Sequence, residues 1–195
     1  MIRKSVFALV LLIFAAGAAH AASWSIDQSH SYVGFSVKHL VVSKVKGSFG
    51  DYTGKINFDG KDFSAASVEA TVQMVSVDTD NKDRDDHLRN NDFFDVEKFP
   101  TMTFKSKKIT AGGKDKFTMV GDLTIKDVTK EVTFEGEFNG TINDPWGNTR
   151  AGFSAETKID RQDFNVSFSK ALDGGGLVVG DEVTIILEVE AIQDK

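Results

Sequence analysis

The residues of this chain that could do chemistry are three histidines beyond residue 21, His30, His39 and His87, and the acid-rich run from Asp78 to Asp86. A histidine metal site wants two imidazoles close together on one face. His30 and His39 are nine positions apart, an odd separation that puts them on opposite faces of a regular strand. His87 has Asp83, Asp85 and Asp86 as neighbours, the pairing from which an acid/base site is built. That cluster supports two readings: a hydrolase or isomerase acting on a hydrophobic substrate, or a histidine that satisfies backbone groups in a lid. Asp85 and Asp86 are adjacent rather than facing, so they are expected to solvate a surface. The run from Asp78 opens like a calcium loop, yet its fifth position is Lys82, its sixth is Asp83 instead of glycine, and its twelfth is Arg89 instead of glutamate. The absence of cysteine excludes zinc–thiolate and thiol redox chemistry. There is no Gly-x-Ser-x-Gly elbow and no glycine-rich phosphate loop, and Gly174-Gly175-Gly176 reads as a turn. These patterns assign no catalytic residue, no metal and no cofactor.

The frame that must position any site begins after an export signal. Arg3 and Lys4 precede an apolar run, Val6–Ala16, and Ala19-His20-Ala21 offers small residues at the usual cleavage positions, so residues 1–21 read as a signal peptide cleaved after Ala21. The apolar run is too short for a comfortable membrane span, and no later segment is apolar for long enough. An exported, soluble protein with no integral membrane span is expected, with residues 22–195 forming one domain. Removing Arg3 and Lys4 lowers the 23 Lys+Arg to 21 against 29 Asp+Glu, a net charge of −8. An acidic balance of this kind argues against nucleic acid and against anionic membrane surfaces as partners. Without cysteine, the domain has to be held by its core alone.

Strands dominate by period-2 alternation. Ser31–His39, Val45–Phe58, Ser67–Val77 and Thr101–Ile109 fill the first half, then Phe117–Ile125, Glu131–Asn143, Ala151–Ile159 and Glu182–Ala191 follow. Each has one apolar and one polar face. Gly47, Gly50 and Gly54 inside the second strand read as bulges or bends where a sheet curls. About eight antiparallel strands with apolar faces either pack as a sandwich or close as a barrel, and closure removes exposed edges. The spacing predicts an all-β, eight-stranded barrel with its apolar face inward. The one helical interruption falls around residues 82–95, in the stretch Asp83–Pro100, which starts as a charge cluster and ends in Phe93, Phe94 and Phe99. It reads as a short cap over an apolar interior, its phenylalanines inward and its charges toward water.

Signal removal leaves 14 of the 16 phenylalanines. Either they fill a core or some line a tunnel for a long apolar ligand, and periodicity alone leaves both open.

Several motifs, taken together and in chain order, resemble the YceI-like family. They are His30-Ser31-x-Val33-x-Phe35-x-Val37-x-His39, Gly47-x-Phe49, Arg84-Asp85-x-His87-Leu88 through Phe93-Phe94-Asp95 to Phe99-Pro100, Gly121-Asp122-Leu123-Thr124-Ile125 with Val128-Thr129-Lys130, Asp160-Arg161-x-Asp163-Phe164, and Val179-Gly180-Asp181-Glu182-Val183. The resemblance implies a periplasmic, lipocalin-like extended barrel that holds a polyisoprenoid or similar long-chain lipid, with no cofactor-dependent catalysis. The function then expected is carriage, storage or sequestration of an isoprenoid such as a polyprenyl quinone or polyprenyl phosphate. A homodimer is left open. On this reading the lining comes from Val33, Phe35 and Val37, from Phe49 and Phe58, and from Met74. The cap adds Phe93 and Phe94. Met102, Phe104, Met119 and Leu123 follow, and then Phe134, Phe153 and Phe164. A polar head at the mouth would meet Arg84, His87 and Arg89, chosen for their position beside Phe93 and Phe94.

Overall fold

The computed structural model describes residues 22–173 and 175–195; the expected signal segment, residues 1–21, lies outside them, as does Gly174 of the triple-glycine turn. The strand segments are β1 (Ser23–Ile26), β2 (Tyr32–His39), β3 (Ser43–Phe49), β4 (Tyr52–Asn57), β5 (Ser67–Gln73), β6 (Val77–Asp78), β7 (Thr101–Gly113), β8 (Lys116–Ile125), β9 (Val128–Asn143), β10 (Thr149–Asp160) and β11 (Val179–Gln193). The one α-helix among the described residues, α1, spans Lys82–Arg89. No helix of the described residues is long and apolar enough to cross a membrane.

The eleven segments form eight staves, because three long strands are each broken once. β1 and β2 both run antiparallel to β11, β1 against Ala191–Gln193 and β2 against Val179–Glu188. A 3-10 turn at Gln28–His30 separates them. β3 and β4 continue one another across Gly50 and Asp51, pairing with β2 and β1. β5 and β6 are interrupted by a 3-10 turn at Met74–Ser76. The remaining staves, β7 to β11, pair each with the next, and β11 returns to β1 and β2. The result is a closed antiparallel meander of eight staves, as the alternation predicts.

The inward faces follow from the pattern. In β8 the buried residues are Phe117, Met119, Gly121, Leu123 and Ile125, every second position. Gly121 is inward because a Cβ there would sit 2.5 Å from the Phe104 ring and 2.6 Å from the Lys105 carbonyl. Gly47 likewise is no bulge: it pairs regularly with Phe35, whose ring occupies the space its Cβ would need. Short β1, four residues long, carries no period long enough to read from the sequence.

The staves part company between β6 and β7. Among the described residues β6 pairs only with β3, and β7 pairs with β5 over Thr101–Lys105. The cap crosses this opening. Asn81 caps α1, its side-chain oxygen accepting from the Arg84 N–H, and turns at residues 91–98 carry the chain on to β7. The cap is thus shorter as helix than residues 82–95 and continues as turns.

Candidate functional site

Two apolar chambers lie in line inside the barrel. The centres of water-sized spheres can occupy about 130 Å³ in the first and about 100 Å³ in the second. On the same measure one water needs roughly 10–15 Å³, so each chamber is several times larger than an ordinary packing void. Val33, Met102 and Ile185 border both chambers and mark the narrow place between them.

The first chamber is walled by strands. Phe58, Phe104, Met119, Leu123, Phe134 and Phe153 face it, as the alternation places them. At its far end the rings of Phe58 and Phe63 stack at 4.8 Å between centroids, and Phe138 meets Phe58 edge-on at 5.3 Å. The Trp24 indole N–H donates to the Phe58 carbonyl at 2.8 Å, fixing this wall to β1. Phe63 lies in a 3-10 turn, Phe63–Ala65, where no periodicity points to it. Ile56, Phe117, Leu187 and Val189 also face the chamber; their strands were recognised, but they were left out of the expected lining.

The second chamber is roofed by the cap. Phe35, Val37, Phe49 and Met74 come from the staves, and Phe93 and Phe94 from the turns after α1. Phe99 stays outside, its ring 5.8 Å from the Lys126 ammonium. Phe164 is a correction: it is buried in the turn Arg161–Phe164, packed with Ile125, Ile159 and Val166, and borders neither chamber.

Among the described residues, Arg161 is the one charged side chain bordering the second chamber. It is buried, and it donates to the carbonyls of Gly180 at 2.9 Å, Val166 at 2.6 Å and Val179 at 3.2 Å, and to Asp181 Oδ1 at 2.9 Å. Burial pulls its pKa down from the usual value, opposed by Asp181 and Asp160. Its role is to tie the turn after β10 to the start of β11.

The cap is held by similar bonds. Asp85, expected at a surface, is 6% exposed and accepts from the Thr79 N–H at 2.9 Å and from its hydroxyl. The short helix needs this acceptor because the bend after β6 leaves the Thr79 N–H without a ladder partner. Arg84 donates to Thr79 Oγ1 at 2.8 Å and to the Thr79 carbonyl at 2.6 Å, while Arg89 donates to the carbonyls of Val75 at 2.8 Å and Val77 at 2.7 Å. The His87 ring meets Phe93 and Phe168 edge-on at 5.0 and 5.2 Å, with Nε2 2.9 Å from Asp92. None of Arg84, His87 and Arg89 borders either chamber. The head-group assignment is therefore corrected: the two arginines fasten the cap to the β5–β6 stave. The His87/Asp cluster of the enzyme reading lies outside both chambers.

A second polar cluster closes the first-chamber end. Arg150 donates to Asp27 at 2.8 Å, to Asp144 at 2.6 Å and to Glu190. His30 Nδ1 is 2.9 Å from Asp27. Asp27, His30 and Glu190 are spaced as three metal ligands could be, but both carboxylates already accept from the Arg150 guanidinium. Ser29, Arg150 and His30 hold the Asp27 carboxyl well below the usual carboxylate range.

The model of the YceI-like domain matches residues 24–191. A UPF0312 protein of Yersinia pestis (strain Pestoides F) is 42% identical over 199 residues, covering 100% of each chain. Among solved structures, the Campylobacter jejuni YCEI protein is 36% identical with a TM-score of 0.70, covering 81% of this chain and 90% of its own. A Saccharophagus degradans domain described as polyisoprenoid-binding shares the fold with a TM-score of 0.66 at 14% identity, covering 90% of this chain and 100% of its own.

Proposed function

The chain belongs to the YceI-like family, and on that premise we propose that it holds a long-chain isoprenoid lipid, such as a polyprenyl quinone or polyprenyl phosphate, along the barrel axis. The observation that carries the reading is the pair of apolar chambers in line, sharing Val33, Met102 and Ile185. A slim, bendable chain suits two small rooms joined by a narrow place better than a compact ligand does. The description of the Saccharophagus degradans domain supports the isoprenoid class.

The energetics suit a tail without directional contacts. Burying each carbon of an isoprene unit contributes on the order of 0.8 kcal/mol, so roughly 4 kcal/mol gross for the five carbons of one unit. Ordering the floppy tail removes part of this. Carriage, storage or sequestration in the periplasm is the role that follows, with the signal-like residues 1–21 as the support for export. The test is organic extraction of the protein purified from its own host, with mass analysis of what comes off. One isoprenoid per chain is expected. A barrel that yields no lipid contradicts the proposal.

A further inference from the structure

The hairpin between β2 and β3 ends in three consecutive aliphatic residues turned to solvent: Leu40, Val41 and Val42 are 39%, 59% and 87% exposed. Single exposed aliphatics are ordinary, but three at one tip form a wedge. The wedge is held in place. Leu40 and Val41 have φ of 51° and 66°, a region that a β-branched residue adopts only under constraint. The Leu40 N–H donates to the Val178 carbonyl at 3.0 Å, and a Val41 methyl packs close to Gly176.

Within the hairpin the charge is of one sign, and Asp181 and Glu182 of β11, which fall across from Lys38, are engaged by Arg161 and Lys158. Residues 28–50 contain no Asp or Glu, in a chain with 29 of them, and the hairpin carries Lys38, Lys44 and Lys46. All three lysines are exposed. Lys38 and Lys44 stand directly opposite each other across the strand pair, a like-charge arrangement that costs stability on its own. Among the described residues none of the three reaches a carboxylate, whereas the wall lysines Lys105, Lys107 and Lys158 each do. The neighbouring loop adds Lys170 and Asp173, one of each sign.

We propose that this tip docks the barrel on an anionic lipid bilayer, Leu40–Val42 entering the headgroup region and Lys38, Lys44 and Lys46 meeting the lipid charge. An apolar wedge flanked by lysines is the pairing that surface-bound proteins use. A second copy of the chain meeting the tip about a two-fold axis would bring lysine against lysine, so the charge favours lipid. Docking would set the second chamber next to the membrane, since Val37 and Val179, beside the tip, border that chamber. The inference goes beyond ligand binding and holds even for an empty barrel.

Flotation of the purified protein with vesicles tests it. Vesicles of phosphatidylethanolamine and phosphatidylglycerol should carry the wild type at low salt, and phosphatidylcholine vesicles should carry it far less. Removing three lysines as K38Q/K44Q/K46Q should weaken anionic binding on the order of 100-fold, about fivefold per lysine. V41D/V42D should weaken it about 10-fold or more. Neither variant should lower the melting temperature or the extracted lipid, because these side chains are exposed. Failure of the wild type to float, or equal flotation of V41D/V42D, overturns the proposal. So does a concentration-dependent dimer, seen by sedimentation without vesicles and broken by V41D/V42D. Flotation by a wild type that yields no lipid would sink the ligand proposal and leave docking intact.

Discussion

The first chamber and the second lie on one axis and are both apolar, but they are walled by different means. Around the first, closure is a matter of alternation: each stave puts every second side chain inward, and aromatic rings seal the far end. Around the second, one stave ends early and the roof is a separate piece of chain. That piece is fastened by polar side chains reaching backbone groups, Asp85 to the Thr79 N–H, Arg84 to the Thr79 carbonyl and Arg89 to the Val77 carbonyl. A wall made by sheet pairing opens only when the barrel unfolds. A roof made by a few charge-assisted hydrogen bonds can open alone. The difference makes the cap the part of the enclosure expected to open at the lowest cost.

The largest effect should come from the first chamber. Phe134 is 3% exposed and packs edge-on against Phe104 at 5.4 Å. Replacing it with lysine removes a buried ring, worth about 3–5 kcal/mol on truncation alone, and places an ammonium in an apolar wall. Urea unfolding should show a loss of at least about 4 kcal/mol, and extraction should find no lipid. A stable, lipid-loaded Phe134→Lys protein would break the account of that wall.

Asp85→Ala should come next, at about 2–3 kcal/mol, since the Thr79 N–H and hydroxyl lose their buried acceptor. The sharper reading is by hydrogen exchange. Amides of residues 79–99 should exchange much faster while those of β8, β9 and β10 stay protected. Uniform loss of protection would mean that the cap is not a separate unit.

A smaller effect belongs to the far end. Asp27 and Asp144 are held well below the usual carboxylate range, Asp27 by Ser29, Arg150 and His30, and Asp144, against the opposing cost of its burial, by Arg150 and Asn148. Because their folded pKa values are depressed, their contribution is present above the unfolded value of about 3.9 and is lost as pH falls below it. Stability of the wild type should therefore drop between pH of about 4 and 2, and Arg150→Met should flatten that slope. An unchanged slope would remove the clasp from the account. His87→Gln should do least, within about 1 kcal/mol by urea unfolding, with lipid content unchanged, because the ring touches Phe93 and Phe168 but no chamber. Loss of bound lipid in this variant would contradict the cap assignment.

The two chambers also differ in how legible they were. The eight staves and nearly all of the expected lining follow from period-2 alternation, and once a barrel closes, the inward face is the lining. Phe164 misled because an apolar residue in the turn after a stave looks the same in sequence as one on it. The cap was visible as a break in the pattern, with Phe93 and Phe94 inward. Its fastenings were not: Asp85 finds its acceptor role only through Thr79, and Arg89 only through the carbonyls of Val75 and Val77. No local pattern marks a side chain whose partner is a backbone group elsewhere. The whole-chain charge of −6 likewise hid an acid-free hairpin, because a sum says nothing of where the charges sit.

Affinity against tail length tests the central claim most directly. The delipidated protein would be titrated with isoprenoids of one head group and two, four, six and eight units. Tight fit along two chambers predicts that affinity climbs steeply with each added unit until both are filled, then levels off. Affinity that does not depend on tail length would contradict a barrel that holds its ligand along the axis.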